Sequence, residues 1–190
     1  MACSPHPHRG RQTRFRLQID PIFVPNNSYY ECLSLQDVPA ELYYMKQTIS
    51  NACGTVAMIH AVANNLQIIQ LKEGSFLKKF LEETANKTPA ERAVALEEDD
   101  GICAAHDKVA QEGQTTAPNL DDRVDYHYVA FVEKGGHLFE LDGRKSSAIN
   151  LGPTTKETFL LDAAKECQEY MTRDPENLNF VIVALAGRED

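Results

Sequence analysis

The stretch Gln47–Asn65, QTISNACGTVAMIHAVANN, constrains this chain more than any other part of it. Its front half holds Ser50, Asn51 and Gly54, which favour turns and caps over helix interiors. Its back half places Val56, Ile59, Val62 and Ala63 at helical spacing. A loop therefore runs into a buried helix, and Asn64-Asn65 can end it, since Asn tolerates the left-handed conformation of a C-cap. Cys53 falls at or just before the helix N-terminus, where unpaired N–H groups and the positive end of the macrodipole stabilise a thiolate. Gln47, on the loop side, is a neutral amide donor. Together they suit a nucleophile and an oxyanion donor. A buried, inert cysteine on a core helix is the alternative for this stretch taken alone.

The rest of the composition narrows the class. A chain of 190 residues fits one domain with a substantial core. The net charge of −9 argues against nucleic-acid binding and permits a basic partner. No apolar run approaches the length of a membrane span. The five cysteines, Cys3, Cys32, Cys53, Cys103 and Cys167, are scattered and odd in number, which points to a reducing, cytoplasmic setting. No metal or cofactor is expected. Cys103 and His106 have a C-x2-H spacing but no second pair, and the carboxylates of Glu97–Asp100 are consecutive, as on a solvated helix end.

Along the chain, residues 1–18 carry Arg9, Arg11, Arg14 and Arg16 and no acid, and are read as a disordered tail. Ile19–Val24 is a short apolar run that Pro21 makes an edge strand or a strand beginning late. Ala40–Lys46 is a short strand or extended approach to the central stretch. Ser75 can cap a helix with Phe76, Leu77, Phe80 and Leu81 on one face. Thr88-Pro-Ala-Glu91 is a capping box opening another helix, through Ala93, Val94 and Leu96. Ala104–Gln111 can form a helical turn or two. Glu112–Pro118 is breaker-rich and marks a long loop, a kind that is usually functional or disordered. A second capping box, Thr154–Glu157, opens a helix with Phe159, Leu160, Ala163, Ala164, Cys167, Tyr170 and Met171 on its apolar face; Arg173-Asp174-Pro175 stops it. Phe180–Leu185, FVIVAL, is suited to a buried central strand.

The second informative stretch is Val124–Arg144. Tyr126–Val132 and His137–Leu141 are β-forming, with Lys134-Gly135-Gly136 between them. A two-residue turn at Lys134-Gly135 would pair 132 with 137 and set His127 opposite Asp142, with Cβ atoms about 5 Å apart. Each residue has a bland account, as a satisfied strand histidine and a turn aspartate. With Cys53 and Gln47 they complete a thiol acyl-transfer set. His60, two helical turns past Cys53 and on the apolar face, is the poorer base.

Four stretches carry a resemblance: Gln47–Asn65, Glu112–Pro118 (EGQTTAP), Val124–Tyr128 (VDYHY) and Leu141–Lys145 (LDGRK). They resemble the ubiquitin carboxyl-terminal hydrolase family, peptidase family C12, in its short single-domain members. The likeness runs from about Ile19 to Ala186 and is clear from Tyr43 onward. The resemblance implies Cys53 as nucleophile, His127 as general base and acid, Asp142 as the group orienting His127, and Gln47 as oxyanion donor beside the Cys53 N–H. It implies an α/β (α+β), papain-like cysteine-peptidase fold: a central, mainly antiparallel sheet flanked by helices, knotted in the family, with a crossover loop at roughly 105–124. It implies a monomer acting on ubiquitin, or on NEDD8, joined to small or unfolded groups. Residues 19–190 would be the catalytic domain, shortened at its front against the family; a non-catalytic ubiquitin-binding role is the alternative that such shortening leaves open.

Overall fold

The computed structural model describes residues 38–105, 127–173, 175–176 and 180–186. The Arg-rich tail, the run Ile19–Val24, the loop motif Glu112–Pro118 and almost all of the expected crossover loop lie outside them.

The central helix α1 (Cys53–Ala63) buries Val56, Ile59, His60 and Val62. It lies between two apolar clusters. One joins Met45, Val56, Ile59 and Val62 to the helices α2 (Phe76–Thr84) and α3 (Pro89–Glu97) through Phe80, Leu81 and Leu96. The other joins Leu42 and Tyr44 to Val132, Phe139 and Leu141 of a sheet, with Ala57 packed against it. Residues 42–45 therefore alternate, Leu42 and Tyr44 toward the sheet, Tyr43 and Met45 toward the helices. That is the period of an extended chain, in keeping with the approach expected from sequence, although no ladder is formed there.

Helix boundaries follow local chemistry. Ser75 caps α2, its hydroxyl accepting from the Lys78 N–H. The Thr88–Glu91 capping box closes both ways at the start of α3, with Pro89 in the first turn. Phe76 and Val94 are exposed, so the buried faces are narrower than the periodicity predicts. The end of α1 differs from expectation more instructively. Asn64 is right-handed, at φ −83°. Its side chain instead accepts from the Tyr43 N–H (2.8 Å) and donates to the Tyr43 carbonyl (2.9 Å), as a strand neighbour would. Two satisfied buried backbone groups outweigh a left-handed cap. The left-handed asparagine is Asn51, at φ 60°.

Among the described residues the sheet has three antiparallel strands in the order β1 (Ala130–Lys134), β2 (His137–Leu141), β3 (Ile149–Pro153). The first hairpin pairs Lys134 with His137, so the turn is Gly135-Gly136 and not Lys134-Gly135. Both glycines have positive φ, 58° and 80°, as the hairpin turn matched to strand twist requires. Lysine in that position would be strained, and the turn moves on by one residue. Each pairing then slides by two, which preserves the faces. Continued past the ladder, this register places Asp142 across from Val129 and leaves His127 a diagonal neighbour. Diagonal neighbours, about 7–8 Å apart, are within reach of long and aromatic side chains.

The helix α4 (Phe159–Arg173) packs on the sheet through Ala163, Cys167 and Tyr170, while Leu160 is exposed. Its entry box sits one residue later than expected: Thr155 and Thr158 exchange backbone and hydroxyl hydrogen bonds. Thr154 instead bonds the Asp162 carboxylate (2.8 Å). Residues 180–186 are not the buried central strand expected. They carry no regular structure, and Ile182, Val183 and Leu185 are exposed. An apolar run becomes a buried strand only when another strand accepts its backbone groups, and among the described residues none pairs with it.

Candidate active site

Cys53 is the first residue of α1. No side chain caps this helix end, and a helix N-terminus favours an anion. The strand pair brings His127 and Asp142 together, His127 just ahead of β1 and Asp142 just past β2. His127 Nε2 lies 2.5 Å from Asp142 Oδ1, with both side chains buried. The same oxygen accepts from the Arg144 N–H at 2.9 Å. His127 Nδ1 is buried without a well-formed hydrogen bond, and it is the nitrogen left to exchange a proton with Cys53.

The electrostatics tie the three residues into one unit. Burial alone would raise the Cys53 thiol, yet its pKa is lowered. The approach of the His127 imidazole and of the Tyr128 backbone, with the charges of His127 and Arg144, outweighs the burial. Burial would likewise lower His127; its bonds to Asp142 and Cys53 raise it instead. The Asp142 carboxyl is held below its ordinary value against burial, by the His127 hydrogen bond and charge, the Arg144 N–H and Lys145. The thiol falls while the imidazole rises, which favours a thiolate–imidazolium pair.

Gln47 is brought to the same place by backbone contact. Its N–H donates to the Gly143 carbonyl at 2.9 Å. A β-carbon at Gly143 would meet the Gln47 Cβ at 2.9 Å and the Gln47 nitrogen at 3.0 Å. The Gln47 amide gives one hydrogen to the Ile49 carbonyl (3.1 Å), and a primary amide has a second.

His60 is fully buried, and burial above all pushes its pKa down to about 4. Its Nε2 accepts from the Met45 N–H at 3.0 Å. It is thus a neutral acceptor inside the core. Cys103 turns toward the Leu96 carbonyl, and His106 lies outside the described residues. No group of three or more His, Cys, Asp or Glu side chains among the described residues could hold a metal ion.

The sequence reading missed the supports. Tyr44, Lys46, Glu140, Arg144 and Lys145 all bear on the turn that carries Asp142. The signal was there in part: a tyrosine and a glutamate inside apolar runs, at positions a core would fill with Phe or Leu.

Comparison with known proteins bears on the family and the fold. The family model described as ubiquitin carboxyl-terminal hydrolase, family 1, matches residues 21–172. A ubiquitin carboxyl-terminal hydrolase of Drosophila melanogaster is 51% identical over 151 residues, covering 80% of this chain and 65% of that protein. Ubiquitin carboxyl-terminal hydrolase isozyme L1 of Homo sapiens is 46% identical over 155 residues, covering 82% of this chain and 68% of the relative. This chain therefore spans about two thirds of the length of these relatives. The UCH37 catalytic domain of Trichinella spiralis bound to ubiquitin vinyl methyl ester shares the fold. The TM-score is 0.58 at 24% identity, over 77% of this chain and 64% of that one. With most of its length matched by the family model and the papain-like architecture shared with a solved relative, the chain belongs to ubiquitin carboxyl-terminal hydrolase family 1, peptidase family C12.

Proposed function

We propose that this chain is a thiol-dependent deubiquitinase, cleaving the bond after the C-terminal glycine of ubiquitin when a small or unfolded group is attached. The observation that carries the reading is the unit Cys53–His127–Asp142: the buried His127 lies 2.5 Å from the Asp142 carboxylate, which with Cys53 raises the imidazole pKa, while His127 lowers that of the thiol. Relatives named ubiquitin carboxyl-terminal hydrolase, and solved structures bound to ubiquitin vinyl methyl ester, support the substrate.

The steps follow from the groups present. The Cys53 thiolate attacks the carbonyl carbon of the terminal glycine, and the carbonyl electrons move onto oxygen. That oxyanion meets the Cys53 N–H at the helix start and the second Gln47 amide hydrogen. The electrons return, the bond to the leaving amine breaks, and the His127 imidazolium gives that amine its proton. A thioester remains. Neutral His127 then takes a proton from water as it attacks, and ubiquitin leaves with a free carboxylate while the thiol is restored. Asp142 holds Nε2 throughout, which keeps Nδ1 facing the thiol.

Hydrolysis of a fluorogenic ubiquitin C-terminal amide by the whole chain, with Cys53→Ala as control, tests this. Turnover abolished by the substitution is the expected result. A folded chain that binds ubiquitin without turnover would replace the enzyme with a ubiquitin-binding protein. The same assay with a NEDD8 amide reads the preference between the two.

A further inference from the structure

We propose that Tyr44 is a positioning residue for this site: its hydroxyl grips both ends of the Asp142–Lys145 turn and so sets where the Asp142 carboxylate stands against His127. The inference rests on the triad reading above.

The turn is closed by the Lys145 N–H donating to the Asp142 carbonyl at 3.0 Å. The Tyr44 oxygen lies 2.7 Å from the Asp142 carbonyl and 2.7 Å from the Lys145 carbonyl. One phenol hydrogen is thus shared between the first and last residues of the turn. The tyrosine itself has little freedom. Its ring stacks on His60, with centroids 5.3 Å apart and planes within 13°, and its own carbonyl accepts from Arg92 Nη1 at 2.8 Å. Burial, and then the negative charges of Asp142 and Glu140, raise its pKa far above the ordinary phenol value, so it stays a donor.

The turn's far end is held from other sides too. Lys46 Nζ reaches the Lys145 carbonyl at 2.5 Å. Lys145 Nζ reaches Oε1 of the buried Glu140 at 2.5 Å, and Glu140 Oε2 takes the Tyr170 hydroxyl of α4. At the Asp142 end, the Tyr44 hydroxyl donates to the backbone carbonyl. Without the hydroxyl the ring would still fill its place, but the Asp142 carbonyl would keep only the Lys145 N–H of its own turn and lose its tie to the 42–46 segment. The charged groups bearing on Cys53 and Asp142 are His127, Arg144, Lys145 and Lys46, and none is removed by Tyr44→Phe.

The experiment follows iodoacetamide alkylation of Cys53 against pH, by mass spectrometry of the Cys53 peptide. It compares the full chain with Tyr44→Phe and Asp142→Asn, and measures kcat and KM on the ubiquitin amide in parallel. Asp142→Asn should raise the alkylation midpoint; if it leaves the midpoint in place, the triad reading itself fails. With that shift present, Tyr44→Phe should move the midpoint part of the way in the same direction. It should also lower kcat about tenfold while KM stays within about twofold, as for a misplaced reacting group. A wild-type midpoint and kcat in Tyr44→Phe, beside a shifted Asp142→Asn, overturns the role of Tyr44 alone. A purely structural role would lower the melting temperature without moving the midpoint. If the variant is partly unfolded, the same titration in trimethylamine oxide, which favours the compact chain, gives the deciding comparison.

Discussion

The groups that lower the Cys53 pKa lie far from it in sequence and arrive through the hairpin. The same holds for Gln47, which Gly143 admits. A side chain at 143 would strike a backbone nitrogen at 3.0 Å and Val56 Cγ1 at 3.0 Å, and backbone cannot rotate away as a side-chain tip can. Gly143→Ala should therefore push the Gln47 loop off α1. We expect kcat to fall at least about tenfold and stability to drop by about 1–3 kcal/mol, the usual cost of overpacking. A wild-type kcat with an unchanged urea midpoint would remove Gly143 from this role. Gln47→Ala should lower kcat by about 10²-fold at similar KM, as loss of an oxyanion donor does. Activity within about twofold of wild type would assign the oxyanion to backbone donors alone.

Among elements, one buried cation ties α2, α3 and the 42–46 segment together. Arg92 of α3 donates to the Thr84 and Ala85 carbonyls at the end of α2, and to the Tyr44 carbonyl. Its guanidinium lies 3.9 Å over the Tyr43 ring. No carboxylate shares this site among the described residues. The charge is met by three carbonyls, two of them at the negative end of a helix dipole. Arg92→Met would keep the apolar stem and orphan the carbonyls, at a cost of about 2–4 kcal/mol. Denaturant unfolding checks this, and a loss under about 0.5 kcal/mol would mean that water replaces the guanidinium. Because Tyr44 is one of the three partners, this joint also fixes the residue proposed to hold the Asp142 turn.

At the scale of the whole molecule, α1 is shared by two apolar clusters, and a titratable group is buried where they meet. His60 is neutral when folded, its pKa down at about 4 from 6.5. The unfolded chain binds the proton more readily, so stability is complete above about pH 6.5 and is lost as the pH falls toward 4, levelling below it. The shift corresponds to about 3 kcal/mol. Urea midpoints from pH 7 to pH 4 should fall accordingly. In His60→Gln, whose amide oxygen can still accept the Met45 N–H, that fall should be smaller, although the variant starts less stable. An equal acid dependence in the two would place the sensitive group elsewhere. The exposed run at 180–186 belongs to this scale as well, since its apolar residues were read for a sheet and the three described strands do not include them.

Much of the design was legible without coordinates because it depends on near neighbours. The loop-to-helix switch at Cys53, the Ser75 and Thr88 caps and the stop after Arg173 follow from side chains acting within a turn or two. The meeting of His127 and Asp142 was legible because a hairpin is local and its period of two keeps faces even when the turn slides by one residue. The register itself was not, since it turned on which pair of residues could both take positive φ. Tertiary structure alone decided what covers what. It made Asn64 a strand-like neighbour of Tyr43, drew Arg92 onto three carbonyls, left Ile182, Val183 and Leu185 exposed, and set the Tyr44 hydroxyl on the Asp142 turn. These contacts join residues far apart in the chain, and nothing in local spacing records which distant partner will satisfy a buried polar group.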